Sequence, residues 1–226
     1  MTTTAKTAFK TQFQYGDGAT PELFLTIAEL RTIDPPEAVA KMAEVTSHDS
    51  TKAEFIATYV DEGEVSLEGN WTADTTQSAM LTKLGGTASN YQLCLPDFGV
   101  RTATFTAETT DVCTSNTHGM TTGQPVRVSS SGSPEDLPAG LSSGVTYYVR
   151  WASADTFTLH TTNAGAVANT GKVDITDAGT GTHTVSMGTR VAFAAIIQSF
   201  KASAPLDGAQ GVTIKAKITE AATYTT

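Results

Sequence analysis

Between Val212 and Ile218 the chain alternates without a break, Val212, Ile214, Ala216 and Ile218 against Thr213, Lys215 and Lys217. A period of two puts the apolar set on one face of a strand, and that face needs a cover. The rhythm recurs where Val65, Leu67 and Trp71 oppose Glu64, Ser66 and Glu68, and where Tyr91, Leu93 and Leu95 alternate with Gln92 and Cys94. Residues Arg190 to Ala204 read as a longer strand containing Ala192, Ala194, Ile196 and Ser199, the first three on one parity. Two more strands are predicted over Phe24–Thr32 and Ala38–Thr46, separated by Asp34-Pro35-Pro36. A polar turn over Ser47–Lys52 then leads into a loop through Phe55, Ile56 and Tyr59. The expected class is mainly β.

One stretch breaks this pattern. Asp74 is suited to cap a helix, Ala79, Met80, Leu81 and Leu84 follow at helical spacing, and Gly85-Gly86 ends it. A single short helix is predicted there.

Between Gly99 and Gly188 the composition shifts toward Thr, Ser and Gly. Turns are expected at Thr117-His118-Gly119, Gly132-Ser133-Pro134, Pro138-Ala139-Gly140 and Asp177-Ala178-Gly179. Short strands are predicted over Pro125–Val128, Val145–Trp151 and Thr156–His160. The segment is long enough for a small all-β domain of its own. The predicted division is therefore a discontinuous domain, 1–99 and 189–226, interrupted by an insert at 100–188 whose two ends lie close together.

Charge narrows the function. Lys and Arg total 14 against 23 Asp and Glu, a formal net charge of −9. Proteins that grip DNA through its phosphates need a basic face, so a nucleic-acid groove is not expected. An acidic wall that DNA slides past fits this balance. No apolar run reaches the roughly 20 residues that span a bilayer, and Met1–Lys6 lacks the apolar core of a secretory signal. Cys94 and Cys113 read as buried or half-buried free thiols of a reducing compartment, with a single bridge between them as the alternative.

The order and spacing of several pieces resemble the tail tube proteins of long non-contractile phage tails. The pieces are Ala43–Ser50, Glu54-Phe55-Ile56, Asp61–Asn70, Tyr91–Asp97 and Phe200–Pro205. Together they cover most of 20–99 and 189–220. The middle segment, through Tyr147-Tyr148-Val149, Asp155–Leu159 and Gly179–His183, is similar to a β-module found within phage structural proteins. The resemblance implies a tail-tube-type β-sandwich or barrel with one flanking helix, and a decoration domain in the insert. It implies homo-oligomeric hexameric rings stacked into a tube, with tape measure, tail tip and tail terminator proteins as partners. Genomic DNA would pass through the lumen without specific binding. The place implied is the virion tail, assembled in the host bacterial cytoplasm, with no membrane partner. A contractile injection machine is a close variant of this reading, and a β-rich module binding host glycan or protein through the insert is the alternative.

No catalytic set, cofactor site or metal site is predicted. His48, Asp49 and Ser50 are consecutive, and a triad is assembled from residues that meet in space. They read instead as a turn of an inter-subunit loop that includes Phe55, Ile56 and Tyr59. His48, His118, His160 and His183 share no metal-ligand spacing, and His118 and His183 sit beside Gly-rich turns. Gly179-Thr180-Gly181 lacks the helix and Lys of a phosphate loop. Glu62, Glu64 and Glu68 form an acidic row, either a solvated strand face or, repeated around a ring, a lumen wall that repels phosphates. Tyr147, Tyr148 and Trp151 suggest a sugar platform, although alternation sends the two tyrosines to opposite faces.

Overall fold

The computed structural model describes residues 8–72, 74–133 and 136–226, and it is mainly β. In chain order come β1 (Gln12–Gly16), β2 (Phe24–Thr26), β3 (Leu30–Asp34), β4 (Val39–Glu44), β5 (Phe55–Asp61) and β6 (Glu64–Asn70). Helix α1 (Thr75–Thr82) and strand β7 (Ser89–Cys94) follow. Then come β8 (Arg101–Ala107), β9 (Cys113–Thr114), β10 (Pro125–Ser130), β11 (Thr146–Trp151), β12 (Thr156–His160), α2 (Asn163–Ala168) and β13 (His183–Met187). The chain ends on β14 (Arg190–Ser203), β15 (Gly211–Ile218) and β16 (Thr223–Thr225). Two compact units result, one from the residues up to Ile27 with Ser89–Ala192 and Thr223–Thr226, the other from Ala28–Ala88 and Phe193–Ala222.

The first unit contains a closed barrel in the order β10-β11-β12-β9-β8-β13. Closure pairs the backbone all the way round and leaves no open edge. Inward-facing Phe105, Val126, Val149, Phe157, Leu159 and Val185 fill it, each nearly inaccessible to water. The chain enters and leaves at one place: Gly99 N–H donates to Met187 O at 3.2 Å, and Thr189 N–H donates to the Asp97 carboxylate. In the same unit β1 pairs with β2 and with β7, both antiparallel.

The second unit contains an antiparallel stretch in which β15 lies between β14 and β6, and β3 pairs with β6. Its apolar face carries Val65, Leu67, Val212, Ile214, Ala216 and Ile218, as the alternation required. Strand β14 buries Val191, Phe193, Ala195 and Ile197, the opposite parity from the one expected. Small Ala192 and Ala194 are tolerated on either face, whereas Phe193 and Ile197 gain most from burial, and they set the orientation. A register shift between Ile197 and Ser199 breaks the parity thereafter.

The stretch predicted as one strand over Phe24–Thr32 is two strands, because Glu29 turns the chain at φ 58°. At α1 the Asp74 carboxylate accepts from Thr76 N–H, and Gly85 follows at φ 66°. The helix buries Gln77 and Met80, while Leu81 and Leu84 are exposed. Gln77 is the surprise, and its amide explains it: Nε2 donates to Ala28 O and Asn70 O, and Oε1 accepts from Thr72 N–H.

Candidate assembly surface

Phe55, Ile56 and Tyr59 do not lie in a loop. They stand on β5, which pairs with β4 through Val39–Asp61, Ala40–Val60, Met42–Ala57, Ala43–Ile56 and Glu44–Phe55, with a bulge between Ala40 and Met42. Sequence reading missed this strand because it lacks alternation, and alternation appears only when one face is buried. Here neither face is. Phe55 is 55% exposed, Ile56 53%, Tyr59 66% and Met42 59%, and Val39 and Val60 are exposed as well. The pairing register puts Phe55 with Met42 on one face and Ile56 on the other.

The root of this hairpin is fastened while its arm is not. Asp61 accepts from Lys217 Nζ and from Gly63 N–H at 3.0 Å, and Lys41 lies 3.6 Å away. The Lys217 hydrogen bond is the main cause that holds the Asp61 carboxyl at about 2, below its ordinary value. At the tip, Val45 N–H donates to Glu54 O, and Thr46 Oγ1 accepts from Glu54 N–H. His48, Asp49 and Ser50 belong to the tip turn, closed by Ser50 N–H to Ser47 O and Ser47 N–H to Ser50 Oγ, both 3.0 Å. Hydroxyl and backbone bonds of this kind fix a turn and bring no base to a nucleophile.

Glu64 and Glu68 point outward from β6, and Glu62 is half-buried just before it. The row is not purely acidic. Strand β15 sets Lys217 opposite Glu64, Lys215 opposite Ser66 and Thr213 opposite Glu68. Lys215 Nζ lies 3.2 Å from Glu64 Oε1, and β3 adds Asp34 opposite Ser66. The sequence reading took β6 alone and did not see the lysines that its neighbour contributes.

In the barrel unit many polar side chains are committed internally. Gln14 Nε2 donates to Gly123 O at 2.7 Å and to Thr26 Oγ1 at 3.1 Å, and Gln92 Nε2 donates to Gln14 Oε1 at 2.5 Å. Asn163, at the start of α2, donates to Phe24 O and Gly123 O and accepts from Thr26 N–H. Arg150 donates to Ala166 O and Val167 O, closing the last carbonyls of α2. His118 and His183, read as turn residues, are buried. His118 Nδ1 accepts from Met120 N–H, so Nε2 carries the proton given to Ser153 O. His160 gives its Nδ1 proton to Thr170 O at 2.8 Å and accepts at Nε2 from Thr158 Oγ1. Burial is the main cause that lowers its pKa, and Arg150 and Lys172 lower it further. Cys94 and Cys113 are free and buried, and burial pushes both thiols up to about 12. Tyr147 is core, with its hydroxyl accepting from Ser142 N–H, whereas Tyr148 is half-buried and accepts from Gln12 Nε2. The two therefore form no common platform with Trp151.

No family model and no curated protein matches the chain. Among solved structures it is similar to a chain from the virion of a native gene transfer agent particle, with 12% identity and TM-score 0.48 over 98% of this chain and 100% of that one. A chain from the tail of an empty gene transfer agent particle, refined helically with C6 symmetry, gives 13%, 0.48, 98% and 100%. A chain from the six-fold symmetrised baseplate of the anti-feeding prophage gives 8% identity and TM-score 0.45 over 100% of this chain and 97% of that one.

Proposed function

We propose that this chain is a structural subunit of a phage-type tail tube, which polymerises as stacked hexameric rings around a conduit for DNA. The observation that carries the reading is the β4–β5 hairpin, rooted by Asp61 and bearing large apolar side chains on both faces. A two-stranded hairpin is marginal by itself in water, and burying each such side chain is worth about 1.5–3 kcal/mol. A second copy of the chain supplies the missing cover, in the neighbouring ring or subunit. The inter-subunit role of His48, Asp49, Ser50, Phe55, Ile56 and Tyr59 follows from their places on that hairpin.

In this reading 1–99 and 189–226 make the tube wall and 100–188 make an inserted domain, whose closed barrel begins and ends at one point. Glu62, Glu64 and Glu68 face the channel. Six copies repeat a face on which carboxylates outnumber the ammonium groups of Lys215 and Lys217, so phosphates pass without lodging. The tube reading assigns the chain no catalytic step, and its function arises from polymerisation. Tape measure, tip and terminator proteins are its expected partners in the virion.

Negative-stain electron microscopy of the concentrated full-length protein tests this. Hollow tubes or stacked six-fold rings are expected. A closed oligomer that never stacks overturns the tube and turns attention to the barrel as a binding module.

A further inference from the structure

Most polar side chains of the barrel unit have neutral or backbone partners, but two arginines stand out. Arg101, the first residue of β8, and Arg190, the first of β14, both come against the loop Gly119–Thr121. A Cβ added at Gly119 would lie 3.3 Å from Arg101 Nη2, and Arg190 Nη1 donates to Thr121 Oγ1 at 3.2 Å. Both side chains are half-buried. Arg101 Nη1 and Arg190 Nε are covered by protein and have no hydrogen-bond acceptor among the described residues. Neither guanidinium has a carboxylate within 4 Å among those residues.

The surroundings do not neutralise this pair. Thr121 Oγ1 passes its own proton to Gln92 Oε1, a neutral amide. The neighbouring Cys94 stays a thiol near neutral pH because burial pushes it up to about 12. Burial and the like charge of Arg101 both lower the pKa of Arg190. Asp97, the acid next in sequence to this region, is engaged with Thr189, whose N–H and Oγ1 donate to its two oxygens. Two cations with unsatisfied donors and no counter-ion among the described residues form an arrangement that an anion improves. A guanidinium presents a planar fork matched to two oxygens of a carboxylate or phosphate.

We propose that Arg101 and Arg190 form the two jaws of an oxyanion site, which takes either a carboxylate from another copy of this chain or free phosphate. The chemistry is the same in both cases, with guanidinium donors on a two-oxygen acceptor beside the Thr121 hydroxyl.

The test has two arms. In the first, inorganic phosphate is titrated calorimetrically into the full-length unassembled chain at constant ionic strength. One saturable site is expected, weakened about tenfold or more in R101Q and in R190Q, the scale of losing a charge-assisted hydrogen bond. The wild-type titration stands even if a variant fails to fold, and R101K/R190K keeps both charges while removing the fork. The second arm rests on the self-assembly reading and measures the protein concentration at which assembly begins. If a neighbour's carboxylate is the occupant, phosphate raises that concentration for the wild type. If free phosphate is the occupant, it binds the unassembled chain and leaves the threshold unchanged. Equal binding by wild type and R101Q/R190Q overturns the site, as does an absence of saturable binding together with a threshold indifferent to phosphate. Failure of assembly alone would count against the tube reading, since the first arm does not depend on it.

Discussion

The barrel and the β4–β5 hairpin are both antiparallel and rich in the same β-forming residues, yet they place their apolar side chains oppositely. In the barrel Phe157 and Val149 are fully covered and every strand has two neighbours. In the hairpin Phe55 and Ile56 face outward on two sides, and each strand has only the other. Closure makes the barrel self-sufficient, whereas the hairpin has backbone edges and apolar area left over. That surplus means little for a monomer and a great deal for an assembly, because it is the surface a second copy can cover.

The sharpest way to break the contrast is to charge the hairpin. F55D/I56D is expected to abolish assembly while changing the stability of the unassembled chain by less than about 1 kcal/mol, as surface substitutions do. Sedimentation and denaturant melts read the two effects separately. The converse holds in the barrel, where F157A removes a fully buried ring packed against Phe105 and His118. A loss of about 3–5 kcal/mol is expected in a denaturant melt.

A smaller effect follows from pH. Because the folded pKa of His160 lies below its ordinary value, the fold favours the neutral ring. The stability this contributes is fully present above about 6.5 and is lost as pH falls through the lower folded value. Melting temperature should therefore fall on acidification through that range, and H160Q should flatten the dependence. Smallest is the hairpin root. K217M should raise the Asp61 titration from about 2 toward 3.8, as read by carboxyl-carbon NMR. The stability from Asp61 is present above 3.8 and is lost as pH falls toward 2, so the substitution should narrow that acid window.

The same contrast explains what the sequence disclosed. Strands with one covered face, such as Val212–Ile218 and Val65–Leu67, announce themselves by period two. Strand β5 did not, since a strand exposed on both faces has no reason to alternate, and its Phe-Ile-Ala-Thr-Tyr-Val run resembles a loop with apolar residues. Asp74 and Gly85 marked the helix correctly because caps are local chemistry. Pairings made across long separations were not legible, among them Lys217 with Asp61, Gln14 with Gly123, and Arg190 beside Thr121. Each partner alone is an ordinary surface-type residue, and only the fold brings them together. The parity of β14 differs for a related reason, since Ala192, Ala194 and Ile196 cannot outweigh Phe193 and Ile197.

Hydrogen–deuterium exchange compared between the unassembled and the assembled protein tests the central claim most directly. Amides of Val39–Glu44 and Phe55–Asp61 should exchange fast in the unassembled chain and become strongly protected on assembly. Those of the barrel should be slow in both states. A hairpin already as slow as the barrel before assembly, or one that still exchanges fast within the assembly, would contradict the account.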